Sequence, residues 1–151
     1  MMEKELIFLV VLDDSKEIFN ALRYAAKRTA RTNGRVALLY TFETLEFSHW
    51  KAVEDIAEIE LREEAESKIK EYENYILSFS NKKPKKFIMK GDRIECIINF
   101  LNANKFISNF ILASSPSKSG SDPLINAFTI KQSSKIKVPI TIIPPTLTEE
   151  E

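Results

Sequence analysis

The sequence predicts an α/β fold with one doubly wound, five-stranded parallel sheet that has helices on both faces. Short, continuous apolar runs rich in Val, Ile and Leu are typical of strands that are covered on both faces of a parallel sheet. These runs alternate along the chain with segments in which apolar residues recur at helical spacing. Such alternation favours parallel strands joined by crossover helices. The length of 151 residues suits a single domain.

Each element is predicted from its own apolar pattern and from the turn residues at its ends. The predicted strands share buried, β-branched residues and cover residues 6–12, 36–40, 87–89, 110–113 and 139–143. The predicted helices share an apolar stripe and cover residues 18–29, 53–79, 94–101 and 124–137. Asn33-Gly34 is predicted to stop the first helix. We assign residues 1–145 to one domain and residues 146–151 to an acidic C-terminal tail.

Composition excludes several classes of function. The 22 basic residues balance the 22 acidic ones, and the lysine cluster at 82–86 is offset by the acidic face of the predicted second helix, so we expect neither nucleic-acid nor membrane binding. One Cys and one His exclude a disulfide framework and a Cys/His zinc site. No signal-peptide pattern and no run near the roughly 20 apolar residues of a membrane span are found, and we expect a cytoplasmic protein.

Polar residues follow four of the predicted strands. Asp13 and Ser15 follow the first strand, Thr41 the second, Gly91 the third, and the pair at 114–115 the fourth. Ligands of doubly wound sheets bind beyond the carboxyl ends of the strands, so these residues predict a binding crevice. Asp13 has a second interpretation, with Asp14 and Ser15, as a cap of the first helix.

Three segments together resemble one known protein family. Val10-Val11-Leu12-Asp13-Asp14-Ser15, Gly91-Asp92 and Val138-Pro139-Ile140-Thr141-Ile142-Ile143 are similar, in this order, to an opening strand and turn, the start of a later helix and the final strand of the universal stress protein family. The resemblance implies a Rossmann-like, adenine-nucleotide α-hydrolase-like fold with strand order 3-2-1-4-5. It also implies a stress-response role, a homodimer paired through Ile140–Ile143, and ATP or AMP with Mg²⁺ as the ligand.

The chain departs from the family at the phosphate loop. ATP-binding members carry G-x2-G-x9-G-[ST] after the fourth strand, and the matching positions here are Ala113, Pro116, Asn126 and Ala127. Proline lacks an N–H donor, and side chains replace glycines that let backbone approach phosphate closely. Hydroxyls such as Ser114 and Ser115 remain. The expected function is therefore a regulatory module in which Ala113, Ser114, Ser115, Asn126 and Ala127 line a remnant crevice with weak or lost ATP binding.

Other interpretations remain open at this point. A slow nucleotide hydrolase would use Asp13 with Lys118 or Lys131, although no paired acid and base is evident and no catalytic residue is assigned. His49-Trp50 suggests a base beside a stacking ring, or else an ordinary loop that packs against a helix or a subunit. Cys96 has no partner thiol, and its position on the predicted helix leaves its exposure open.

Overall fold

A computed structural model describes residues 4–44, 51–114, 123–131 and 133–145. The strands are parallel and lie in the order β3-β2-β1-β4-β5, so the predicted fold class and strand order are confirmed. The strands are β1 (Leu6–Val11), β2 (Gly34–Phe42), β3 (Lys85–Lys90), β4 (Ile107–Ala113) and β5 (Ile140–Ile143). The helices are α1 (Ile18–Arg31), α2 (Lys51–Leu77), α3 (Arg93–Ala103) and the short α4 (Pro123–Asn126).

Alternate residues of each strand face two separate cores. In β1, Phe8 and Val10 pack with α1 and α2, whereas Leu9 and Val11 pack on the opposite face with α3 and the segment after α4. All four side chains are buried, which is why the strand reads as an unbroken apolar run and not as an alternating one. The sheet is therefore covered on both faces, and its carboxyl end is the edge at which a crevice can form.

The predicted helix over 124–137 is wrong. The structure has α4, then a π-helical turn at Ala127–Lys131 and a 3-10 turn at Ser133–Lys135. The Thr129 hydroxyl donates to the Ile125 carbonyl oxygen at 2.6 Å. A bond of this kind competes with the helical ladder, and the Ser residues that follow favour turns over helix interior. The apolar residues of this segment nevertheless contribute to the core, since Phe128 is buried against Phe110.

Gly34 does not stop α1 as predicted. The helix ends at Arg31, Thr32 is extended, and Gly34 is already the first residue of β2. Among the residues that the structure describes, Gly91 is the one glycine with a positive φ. Gly34 is instead required by close approach, because a Cβ there would lie 3.0 Å from the Leu6 carbonyl oxygen. Within the described ranges, no helix is both long enough and apolar enough to cross a bilayer.

Candidate functional site

The turn after β1 holds its own carboxylate. Asp13 Oδ1 accepts hydrogen bonds from the Ser15 backbone N–H at 2.9 Å and from the Ser15 hydroxyl at 2.5 Å. Helix α1 begins later, after Glu17, and has no side-chain cap. The interpretation of Asp13 or Asp14 as the cap of α1 is therefore wrong. Asp13 closes a local turn, which leaves its second carboxylate oxygen for any ligand.

Helix α2 is fastened to this turn by two side chains. The Tyr72 hydroxyl donates to the Asp13 carbonyl oxygen at 3.1 Å, and Lys68 Nζ lies 2.8 Å from Asp14 Oδ1. The hydrogen bond to Asp14 raises the pKa of Lys68 above its usual range, while burial raises the pKa of Tyr72. Lys68 is thus protonated and paired at neutral pH, and α2 covers the carboxyl end of β1.

The ends of β2 and β3 are joined through glycine. The Gly91 N–H donates to the Phe42 carbonyl oxygen at 2.9 Å, and Gly91 has a φ of 138°, which side chains rarely tolerate. Asp92 then caps α3, because its Oδ2 accepts from the Glu95 N–H at 3.0 Å. Thr41 is half-buried one residue before Phe42. Gly91 therefore makes a tight turn from β3 into α3 at the rim of the crevice.

Cys96 is buried beneath this turn. Its Sγ would lie 3.2 Å from a Cβ placed on Gly91. Burial raises the pKa of the Cys96 thiol, and the nearby carboxylates of Asp92, Glu43 and Glu95 raise it further. A buried thiol with a raised pKa is a poor nucleophile at neutral pH. The sequence did not predict whether Cys96 is exposed. In the structure Cys96 is buried, and it is therefore a packing residue.

Three basic side chains around the crevice are paired with carboxylates. Lys90 Nζ lies 3.3 Å from Glu58 Oε2, and Arg62 Nη2 lies 3.3 Å from Glu58 Oε1. The hydrogen bond from Lys90 lowers the pKa of Glu58. Arg62 also lies over the ring of Phe42, 5.1 Å from its centroid. Lys90 and Arg62, like Lys68, would have to leave a carboxylate before binding a phosphate. No cluster of His, Cys, Asp or Glu suited to a metal occurs among the described residues.

Ser114 is the one residue directly after β4 that the structure describes. The Ser114 N–H donates to the Ile143 carbonyl oxygen at 2.8 Å, so it belongs to the sheet. Ala113 is half-buried against the core formed with α1 and α2. Asn126 is half-buried, and Ala127 is buried in the core on the opposite face of the sheet. Ser115 and the whole 146–151 tail lie outside the described residues, as do His49 and Trp50.

The structure brings most of the predicted site residues together at the carboxyl ends of the strands. The ends of β1 to β4 carry Asp13, Ser15, Thr41, Gly91, Ala113 and Ser114. Ala127 differs, since it packs beneath the sheet. Sequence reasoning missed Tyr72 and Lys68. Tyr72 belongs to the apolar stripe of α2, and nothing in its pattern marks a hydroxyl aimed at β1; Lys68 is one charge among many on that helix.

Comparison with known proteins agrees with this fold. UspA from Lactobacillus plantarum matches with a TM-score of 0.74 at 14% identity, over 94% of this chain and 99% of that one. A universal stress protein family member from Burkholderia pseudomallei matches at 0.67 and 15%, over 95% and 99% of the two chains. A universal stress protein in complex with cAMP matches at 0.65 and 10%, over 95% and 100%.

At these identities the structural likeness shows a shared fold. Comparison with curated proteins gives no match. The sequence model of the Universal stress protein family, in contrast, matches residues 7–105, well over half of the chain. The chain belongs to the universal stress protein family.

Proposed function

We propose that this chain is a regulatory, cytoplasmic universal stress protein that acts as a homodimer through partner proteins. Its crevice at the carboxyl ends of the strands is a remnant adenine-nucleotide site. It binds ATP weakly or not at all. The observation that carries this proposal is that three basic side chains beside the crevice are already paired with carboxylates: Lys68 with Asp14, and Lys90 and Arg62 with Glu58.

Triphosphate binding needs free donors, and the one described residue directly after β4 has no free backbone N–H. The Ser114 N–H is bonded to Ile143, and Ala113 stands where ATP-binding relatives carry a glycine. A preorganised nest of backbone N–H groups binds anions well, whereas serine side chains must lose rotamer freedom to do the same. Asp14 is paired with Lys68, whereas the exposed Asp92 has no ion pair among the described residues. The charge of Asp92 at this end of the sheet is unfavourable for a triphosphate.

A nucleotide with fewer phosphates suits this crevice better. One structural neighbour was solved in complex with cAMP, which carries a single cyclic phosphate. By analogy, the half-buried Thr41 and the free oxygen of Asp13 would contact the nucleoside part, and a single phosphate would meet the remaining hydroxyls. AMP or cAMP should therefore bind at least as well as ATP with Mg²⁺.

Calorimetry on the full chain tests this directly. We expect a Kd for ATP with Mg²⁺ no tighter than about 100 μM, which corresponds to about 5.5 kcal/mol. AMP and cAMP are titrated in parallel, and Asp13→Ala is the variant expected to abolish any binding that is seen. Ser78→Ala, an exposed residue at the far end of α2, is the matched control. A micromolar Kd for ATP would refute the proposal.

The homodimer is proposed to form through β5. This strand is at one edge of the sheet and has a neighbour on one side, β4. Ile142 is 43% exposed there, whereas Ile143 is buried. An open apolar edge invites pairing with a second copy. Light scattering should show a dimer that Ile142→Lys converts to monomer, whereas Ile59→Lys, on exposed α2, should leave it intact. A wild-type monomer at 100 μM would contradict the pairing.

A further inference from the structure

The chain has equal numbers of basic and acidic residues, but the basic residues are unevenly distributed over its surface. Basic residues collect at the amino-terminal end of the strands, opposite the crevice. We call this surface the basic end. It comprises Arg31 at the end of α1, Arg35 in β2, Lys82 and Lys83 before β3, Lys85 in β3, Lys105 before β4, and Lys135 and Lys137 before β5.

Contacts place four of these residues, Arg35, Lys83, Lys85 and Lys105, next to one another. Arg35 Nη1 donates to the Lys83 carbonyl oxygen at 2.7 Å. Lys85 Nζ lies 4.9 Å from the ring centroid of Phe106, the residue next to Lys105. Lys83, Lys85 and Lys105 are all exposed, and no carboxylate in the described ranges pairs with any of them.

Within the described part of the chain, two carboxylates are paired with basic residues near this surface. Glu5 is paired with Arg35 at 3.4 Å, and Glu73 is paired with Lys86 at 2.9 Å. Helices α1, α2 and α3 end on this side, and each helix C-terminus contributes only about half a negative charge. The basic end therefore keeps a positive field that the zero net charge of the chain conceals.

The surface is as wide as the sheet. Lys135 and Lys137 are exposed just before β5, at the opposite edge from β3. Five strands at about 4.8 Å spacing separate these edges by about 19 Å. A nucleic-acid duplex of that length carries about 11 phosphates, and roughly half of them face one side of the duplex. Lysines act as point charges that suit phosphates without reading bases, and a broad surface suits a rigid rod better than an acidic peptide.

We propose that the basic end binds the phosphate backbone of duplex nucleic acid without sequence preference. The expectation against nucleic-acid binding came from net charge and from the acidic face of α2. Acidic side chains of α2 instead pair locally, as Glu58 does with Arg62 and Lys90, or lie toward the crevice. Because exposed lysines without a paired carboxylate collect at one end of the sheet, the net charge of the chain does not report on that end.

Fluorescence anisotropy with the full chain and a labelled 24-base-pair duplex of random sequence tests the proposal. With about four to five phosphates neutralised, log Kobs against log salt should have a slope of about −4, and affinity should fall a few hundred-fold between 50 and 200 mM NaCl. The triple variant Lys83→Gln, Lys85→Gln, Lys105→Gln should weaken binding at least tenfold and reduce the slope by about 2 to 3.

The control changes net charge equally at other sites. The triple variant Lys16→Gln, Lys51→Gln, Lys70→Gln replaces exposed lysines outside the basic end and should bind within twofold of wild type. Circular dichroism confirms that both variants are folded. The proposal is overturned by absence of binding at 50 mM NaCl, by equal losses in the two variants, by preference for the single strand, or by displacement of the duplex by poly-L-glutamate at equal charge.

Discussion

Gly91→Ala should destabilise the fold through backbone strain at the rim of the crevice. Gly91 has a φ of 138°, a region that costs a side-chain-bearing residue about 1–3 kcal/mol. The new Cβ would also lie 3.2 Å from Cys96 Sγ, and moving this buried thiol adds about 1 kcal/mol. We therefore expect a loss of about 2–4 kcal/mol, which lowers Tm by about 4–16 °C in a domain of this size.

The assay is thermal and urea unfolding followed by circular dichroism. Cys96→Ala in the Gly91→Ala background separates the two contributions, because it removes the Sγ contact and leaves the backbone strain. Relative to Cys96→Ala alone, Gly91→Ala should then cost only the strain part, about 1–3 kcal/mol. A Tm for Gly91→Ala within 1 °C of wild type would refute this reasoning.

The remaining predictions concern α2 and the buried thiol. Tyr72→Phe should cost about 1 kcal/mol in urea unfolding, because the Asp13 carbonyl loses its donor; an unchanged midpoint would contradict the bond. Lys68→Met should cost less than about 1 kcal/mol, since Asp14 is exposed. Because the folded state raises the pKa of Lys68, that cost should be constant from pH 6 to 9 and decrease only above the unfolded lysine pKa of about 10.4; a change near pH 7 would contradict the assignment. Cys96 should react with a disulfide reagent at pH 7.5 only after urea is added, and rapid labelling of the native chain would contradict its burial.

Most of the fold was predictable because each buried strand carries its own signal. The run over 6–12 became β1, ending one residue earlier at Val11, and α2 matched the predicted stripe to within two residues at each end. The prediction of the last helix was wrong because its apolar spacing has another cause. Ala127 and Phe128 are buried in the core although they belong to an irregular segment, a π-helical turn.

The candidate site was predictable in place and not in its contacts. Ligands of parallel sheets bind beyond the carboxyl ends of the strands, and this rule predicted that Asp13, Thr41 and Gly91 lie at the same end of the sheet. That Asp13 bonds to Ser15, and that Lys68 reaches Asp14 across 54 residues of sequence, depends on side-chain geometry that no local pattern encodes. The clustering of lysines at the basic end was equally hidden, because the net charge sums residues from the whole chain.

We propose that the crevice keeps its place in the fold but lacks the glycine-containing backbone that holds a triphosphate in ATP-binding relatives. The most direct test is calorimetric titration of ATP with Mg²⁺ into wild type and into the variant Ala113→Gly, Pro116→Gly, Asn126→Gly, Ala127→Ser, which restores the family motif. We predict a Kd of about 100 μM or weaker for wild type and at least tenfold tighter binding for the variant, about 1.4 kcal/mol. Micromolar binding by wild type would contradict the claim, as would a folded variant whose Kd equals that of wild type.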